Sequence, residues 1–180
     1  MEASTIERNV PRFALVDRPT SLLYRFEARL DFVPIGLVPE GSRLALSFDG
    51  VVTEGDFVGA RVSGTDHLLL RRDGVGVIDA PKTISTAKGE LFEHLRGYCL
   101  PPEGMTFPPL ESLFSADFRW PDALFPILGF STFRAGSPEL SHLNRAVARI
   151  DGWSNMSTGR LAVETRLIEH VSSVAGPTNV

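Results

Sequence analysis

The sequence predicts an all-β protein, a single closed antiparallel β-barrel of about eight to nine strands with a proline-rich lid segment at one end. Three observations predict it: apolar and polar residues alternate with a period of two, Xaa-Gly pairs break the alternation at short intervals, and no stretch keeps a helical period. With 180 residues the chain can bury one core without a disulfide or a structural metal, so one domain suffices. The expected divisions are an N-terminal arm over 1–20, a barrel over 21–171 with a lid-like insertion at 99–126, and a C-terminal tail over 172–180.

The first strand is expected in "LLYRFEARLDF", where Leu22, Tyr24, Phe26, Ala28, Leu30 and Phe32 alternate with Leu23, Arg25, Glu27, Arg29 and Asp31. Further strands follow in "RLALSF" before Asp49-Gly50, "FVGARV" before Ser63-Gly64, "HLLLRR" before Asp73-Gly74, "VGVIDAPKTIST" before Lys88-Gly89, and "ELFEHLRGY". Each glycine pair is read as a hairpin turn. Residues 99–126 interrupt the rhythm: they are too rich in proline for a regular strand and too aromatic to stand in water. The segment is either a plain cover for one barrel end or a lid over a ligand, with Trp120 as its reporter; its apolar stretch 107–126 would also serve as the interface of a homodimer. Then come "PILGFSTFR", "SHLNRAVARI" closed by Asp151-Gly152, and "GRLAVETRLIEHV", where Leu161, Val163, Thr165 and Leu167 share a face.

Composition narrows the function. Eighteen basic against 22 acidic residues give a formal charge of -4, with no Lys/Arg cluster to neutralise a run of phosphates, so nucleic acid is not an expected partner. The opening "MEASTIERNV", acidic and polar, is not expected to act as a leader, no apolar run reaches the ~20 residues of a membrane helix, and the single Cys99 fits a reducing compartment; a cytoplasmic protein without a membrane partner is expected. The four histidines, His67, His94, His142 and His170, lack the close spacing of a metal site, and "DGVGVID" lacks the third glycine and the helix of a dinucleotide loop. No cofactor and no metal are expected.

The stretches "GVVTEGDFVGARVSGTDH", "RRDGVGVIDAPKTISTAKGELF" and "FSTFRAGSPELSHLNRAVARIDG" resemble, in order and spacing, the domain-of-unknown-function family numbered 3237, over about residues 22 to 170. The resemblance implies that Glu54-Gly55 is the family's Glu-Gly element, that Asp79-Ala80 opens its Asp-Ala-Arg-Tyr motif, and that Thr86 and Gly89 form its next turn. Gly136, Pro138, Leu143, Asn144 and Arg145 would hold its late motif. The chain departs from that pattern at Pro81 for arginine, Lys82 for tyrosine, Arg134 for glutamate, and His142 and His67 for tryptophan. The resemblance implies a small closed barrel with a rebuilt pocket, and little about activity.

If 141–150 is a strand, His142 and Asn144 share a face with Ala146 and Ala148, whose small side chains would leave a ligand cavity inside the barrel. Otherwise Leu143 and Val147 are the core and Asn144 only satisfies backbone groups at a strand end. Asp79 is either an acid or base of raised pKa or a structural carboxylate before Pro81. Arg134, on a face with Phe130 and Thr132, would hold a substrate oxygen or be a rim cation. Lys82 and Glu54, beside turns, are substrate contacts or solvated charges, and His94, sharing a face with Phe92, lies in the pocket or the core. The expected function is a cofactor-independent isomerase, cyclase or lyase acting by acid–base chemistry on a hydrophobic small molecule in the barrel, in specialised or aromatic-compound metabolism. Its catalytic residues would be His142, Asp79, Asn144 and Arg134, and its substrate contacts His94, Trp120, Phe130, Ala146, Lys82 and Glu54. The alternative is a lipocalin-like binding protein without catalysis.

Overall fold

Alternation and turn chemistry produce nine strands in the computed structural model, which describes residues 19–169. They are β1 (Thr20–Val38), β2 (Gly41–Gly55), β3 (Arg61–Asp66), β4 (Leu69–Arg71), β5 (Gly76–Thr86), β6 (Gly89–Cys99), β7 (Phe125–Ala135), β8 (Val147–Asn155) and β9 (Arg160–Ile168). Neighbours pair in the order β1-β9-β8-β7-β6-β5-β3-β2, and β2 pairs back onto β1, so the sheet closes into an eight-stranded antiparallel barrel. Closure leaves the barrel without a through-running edge. The ninth strand, β4, pairs with both β2 and β5 beyond the end of β3, so residues 61–71 form one stave interrupted at His67-Leu68. The expected N-terminal arm lies outside the described residues except for Pro19 and Thr20, as do His170 and the expected tail over 172–180.

The inward phase of the strands supplies the core, with Tyr24, Phe26, Leu44, Ile84, Leu91, Phe133 and Val163 all buried. The glycine pairs divide into two groups. Asp73-Gly74 and the Ala87-Lys88 turn before Gly89 are the hairpin turns expected of them. Asp49-Gly50, Ser63-Gly64 and Asp151-Gly152, read as turns from sequence, lie inside β2, β3 and β8. Their glycines let strands approach where the barrel bends: a Cβ on Gly50 would meet the Glu27 carbonyl oxygen at 2.0 Å, and one on Gly64 the Lys82 Cβ at 2.7 Å.

Both barrel ends are covered. Of the expected insertion 99–126, Cys99 ends β6 and Phe125-Pro126 open β7; residues 100–124 between them cap one end with a 3-10 turn (Leu110–Phe114) and an aromatic cluster in which Trp120 meets Phe32, Phe118 and Phe125 edge-on. Its Leu113 and Trp120 are buried against the barrel, and Asp122 accepts a hydrogen bond from Asn155 Nδ2 at 2.8 Å. At the other end of β7, residues Pro138–Arg145 form a 3-10 helix and not the beginning of a strand, a correction to the expected "SHLNRAVARI" strand. Pro138 starts the helix with a fixed φ, and Leu140 and Leu143, one 3-10 turn apart, bury fully into the core. No helix among the described residues is long and apolar enough to cross a membrane.

Candidate functional site

The 3-10 helix removes the arrangement expected for His142 and Asn144. His142 is exposed, and Asn144 Oδ1 accepts the Ala135 N–H at 2.7 Å while its Nδ2 donates to the Ala135 carbonyl at 3.0 Å, a clamp on the last residue of β7. This is the strand-end role. Asn144→Ala is expected to cost about 1–2 kcal/mol for the two lost backbone contacts, read as a lower Tm in a thermal melt, whereas His142→Ala leaves Tm unchanged. Ala146 follows the helix, half-buried, and Ala148 packs in the core; neither borders a cavity.

Most other expected site residues sit on the outer surface, because the phase that looked inward from sequence points outward. Asp79 faces solvent, where its carboxylate meets His94 Nε2 at 2.5 Å and Arg96 Nε at 3.7 Å. The hydrogen bond from His94, aided by the charges around it, holds the Asp79 carboxyl below its ordinary value, the opposite of a raised acid. Phe130 is 52% exposed, Arg134 is exposed and donates to the Phe133 carbonyl, and Glu54 pairs with Arg25 outside the barrel. Trp120 is buried in the cover without bordering the interior cavity.

Lys82 is the exception, and it is not a solvated charge beside a turn. It lies at mid-strand on the inward phase with Ile78, Ala80 and Ile84, and is 2% exposed. Opposite it on β6 stands Glu93, fully buried between Leu91 and Leu95. Lys82 Nζ lies 2.9 Å from Glu93 Oε1, while Glu93 Oε2 accepts the Tyr24 hydroxyl. This ion pair engages one of the three ammonium hydrogens, so Nζ keeps unused donor capacity, and the buried Ser131 hydroxyl has no partner. The rings of Phe26 and Tyr24 cover the ammonium, Phe26 at 5.0 Å. Burial, then the charge of Glu93, hold the Tyr24 phenol protonated well above its ordinary range.

Above this layer, toward the proline-rich cover, a cavity of about 40 Å³ opens between apolar walls that include Phe26, Phe48, Leu95 and Met156. Its polar groups are Lys82, Asp66, Cys99 and Ser154. Asp66 ends β3 where the stave is interrupted. There the Asp79 N–H, with no strand partner on that side, donates to Asp66 Oδ1 at 2.9 Å. Burial raises the Asp66 carboxyl to about 7, against the pull of that hydrogen bond and with a smaller push from the Asp79 charge. Burial also pushes the Cys99 thiol up to about 12, which holds it in the protonated form. Among the described residues no group of three or more His, Cys, Asp or Glu side chains is placed to hold a metal ion.

Sequence reasoning missed Tyr24, Asp66, Glu93 and Ser154 as site residues. The available signal was a charge in the apolar phase: Asp66 in Val62-Gly64-Asp66-Leu68, and Glu93 in Leu91-Glu93-Leu95.

No protein-family model matches the chain, and no curated relative matches it. Solved structures do. A conserved protein of unknown function from Rhodopseudomonas palustris is 18% identical, with a TM-score of 0.65 over 84% of this chain and 98% of that one. A protein with unknown function from Clostridium acetobutylicum, also 18% identical, reaches 0.68 over 85% and 100%. A β-barrel-like protein from Acinetobacter baumannii, 21% identical, reaches 0.60 over 84% and 97%. At these identities the likeness establishes the barrel fold shared along nearly the full length of those chains.

Proposed function

We propose that the barrel is a cofactor-independent acid–base enzyme, of the isomerase, cyclase or lyase type, for a small hydrophobic molecule held in the interior cavity. The proton-transferring group in this reading is Asp66, in place of His142 and Asp79. One observation carries it: a carboxyl group with a pKa of about 7 and an ammonium with unused hydrogen-bond capacity border the same apolar cavity. A carboxylate tuned to neutrality both takes and returns a proton at working pH, and an ammonium in a dry site stabilises negative charge far better than in water. The resemblance to family 3237 belongs to the same proposal, with Lys82 as the residue around which this chain's interior is rebuilt. At about 40 Å³ the cavity lies far below the roughly 300–1,000 Å³ of pockets that bury drug-sized ligands, which speaks against a lipocalin-like cargo and requires the walls to yield to admit even a small reactant. Met156, a flexible thioether in the β8–β9 turn, is the wall element best able to yield to a somewhat larger molecule.

Methyl NMR tests the reading, because the chain has only three methionines. Small cyclic alcohols and ketones are expected to shift the Met156 methyl signal saturably. Ala80→Val, which adds volume to a cavity wall, is expected to abolish that shift at a stability cost of no more than about 1–3 kcal/mol. A Met156 signal unmoved by every compound would remove the pocket from consideration.

A further inference from the structure

We infer that the molecule taken is an enolisable carbonyl compound, apolar apart from its carbonyl group, whose oxygen rests on Lys82 Nζ while its α-hydrogen faces Asp66; the inference rests on the acid–base reading above.

The strand register brings the two groups together. Gly64 of β3 pairs with Lys82 of β5, and Asp66 lies two residues further on the same inward phase. Such diagonal neighbours stand about 7–8 Å apart, near enough for two inward side chains to face one small molecule between them. Gly64 makes the arrangement feasible, since a side chain there would strike Lys82 Cβ and the Phe48 ring. Within the barrel Lys82 is paired with Glu93 and not with Asp66, so the ammonium and the carboxyl group flank the cavity without neutralising each other.

The chemistry of the flanking groups selects the ligand. A cationic ligand would meet the Lys82 ammonium, and a polyol would leave hydroxyls unpaired against Phe26, Phe48 and Leu95. A single oxygen acceptor on an apolar frame satisfies Nζ. In the reaction the Asp66 carboxylate takes the α-proton and the C–H electron pair becomes the C=C bond of the enolate. The carbonyl π pair moves onto oxygen, where the Lys82 N–H groups hold it. Return of the proton from Asp66 to the same carbon exchanges hydrogen, and return to a conjugated position isomerises the molecule. No oxidant, reductant or co-reactant is consumed. Tyr24 and Glu93 position the lysine: the phenol donates to Oε2, leaving Oε1 to face Nζ.

The test uses the full chain in heavy water with acetone and cyclopentanone as probes, following loss of the α-proton signals by NMR. Exchange at least about a hundredfold above buffer is expected, rising with pH through an apparent pKa of about 7. The groups facing Asp66 are Asp79 from β5, Cys99 from β6 and Lys82 across the cavity. Asp66→Asn should fold and bring exchange to the buffer rate, and the double variant Lys82→Met with Glu93→Leu should do the same without stranding a charge. If the Met156 methyl shifts with the ketones but exchange in the native protein equals buffer, the carbonyl assignment is overturned and the pocket stands. Native exchange that survives in Asp66→Asn overturns it equally. If no ketone or alcohol moves Met156, the pocket reading fails and this inference fails with it.

Discussion

Glu93→Leu is expected to destabilise the barrel by about 3–5 kcal/mol, the usual cost of stranding one member of a buried ion pair. The Lys82 ammonium would be left with aromatic faces and no anion in a place water does not reach. Replacing both residues, Lys82→Met with Glu93→Leu, is expected to recover most of that loss, since two apolar side chains of similar volume need no compensation for lost hydration. Urea denaturation of the two single variants and the double variant gives the coupling between the residues directly. A double variant no more stable than Glu93→Leu alone would mean that the ion pair does not dominate the energetics of this layer. Tyr24→Phe is a smaller version of the same experiment: it keeps the ring and removes the donor to Oε2.

The second large effect is a dependence of stability on pH that runs through Asp66. Its carboxyl titrates at about 7 in the folded barrel against 3.8 for the free group, so the folded state holds a proton that the unfolded chain has released. Stability contributed by this group is complete below the unfolded value, falls as pH rises from about 4, and levels off above about 7. Some three units correspond to about 4 kcal/mol at most. Asp66→Asn keeps an oxygen for the Asp79 N–H and removes the charge, so it is expected to flatten this limb and to be more stable than the native chain at pH 8. The lowered carboxyls of Asp79 and Glu164 act oppositely: what they contribute is present above their unfolded pKa and is lost as pH falls through their folded values. Denaturation midpoints at pH 5 and pH 8 for both chains check the sign. A native midpoint that does not fall over that interval would show that Asp66 ionises normally.

Part of the interior was readable in the chain. A two-residue turn at Ala87-Lys88 sets Thr86 opposite Gly89, and four residues back along one strand and on along the other put Lys82 opposite Glu93. Both occupy positions whose neighbours two residues away are aliphatic, a pattern that a solvated strand does not show. The reading went instead to Asp79, Phe130 and Arg134, because Val75, Val77, Phe92 and Phe130 make the outward phase of β5–β7 look equally apolar. Tyr98, Leu128 and Phe130 are each roughly half exposed, so hydrophobicity alone does not mark the inner face here.

By itself the sequence determined the all-β class, the position of most strands and the presence of a proline-rich cover, because alternation and turn chemistry are local properties of the chain. Only the closed barrel decided which phase of each strand faces inward, since that depends on register between strands distant in sequence, such as β1 with β9. The same closure changed Asp49-Gly50 and Asp151-Gly152 from expected turns into bends within strands, and it let Leu140 and Leu143 pull the His142 segment into a 3-10 helix across the barrel end. It also made Asp66 a carboxyl group of pKa about 7. No neighbour in the chain does this; the cause is desolvation of a partly buried side chain that borders the interior cavity, a setting that exists only once the barrel has closed.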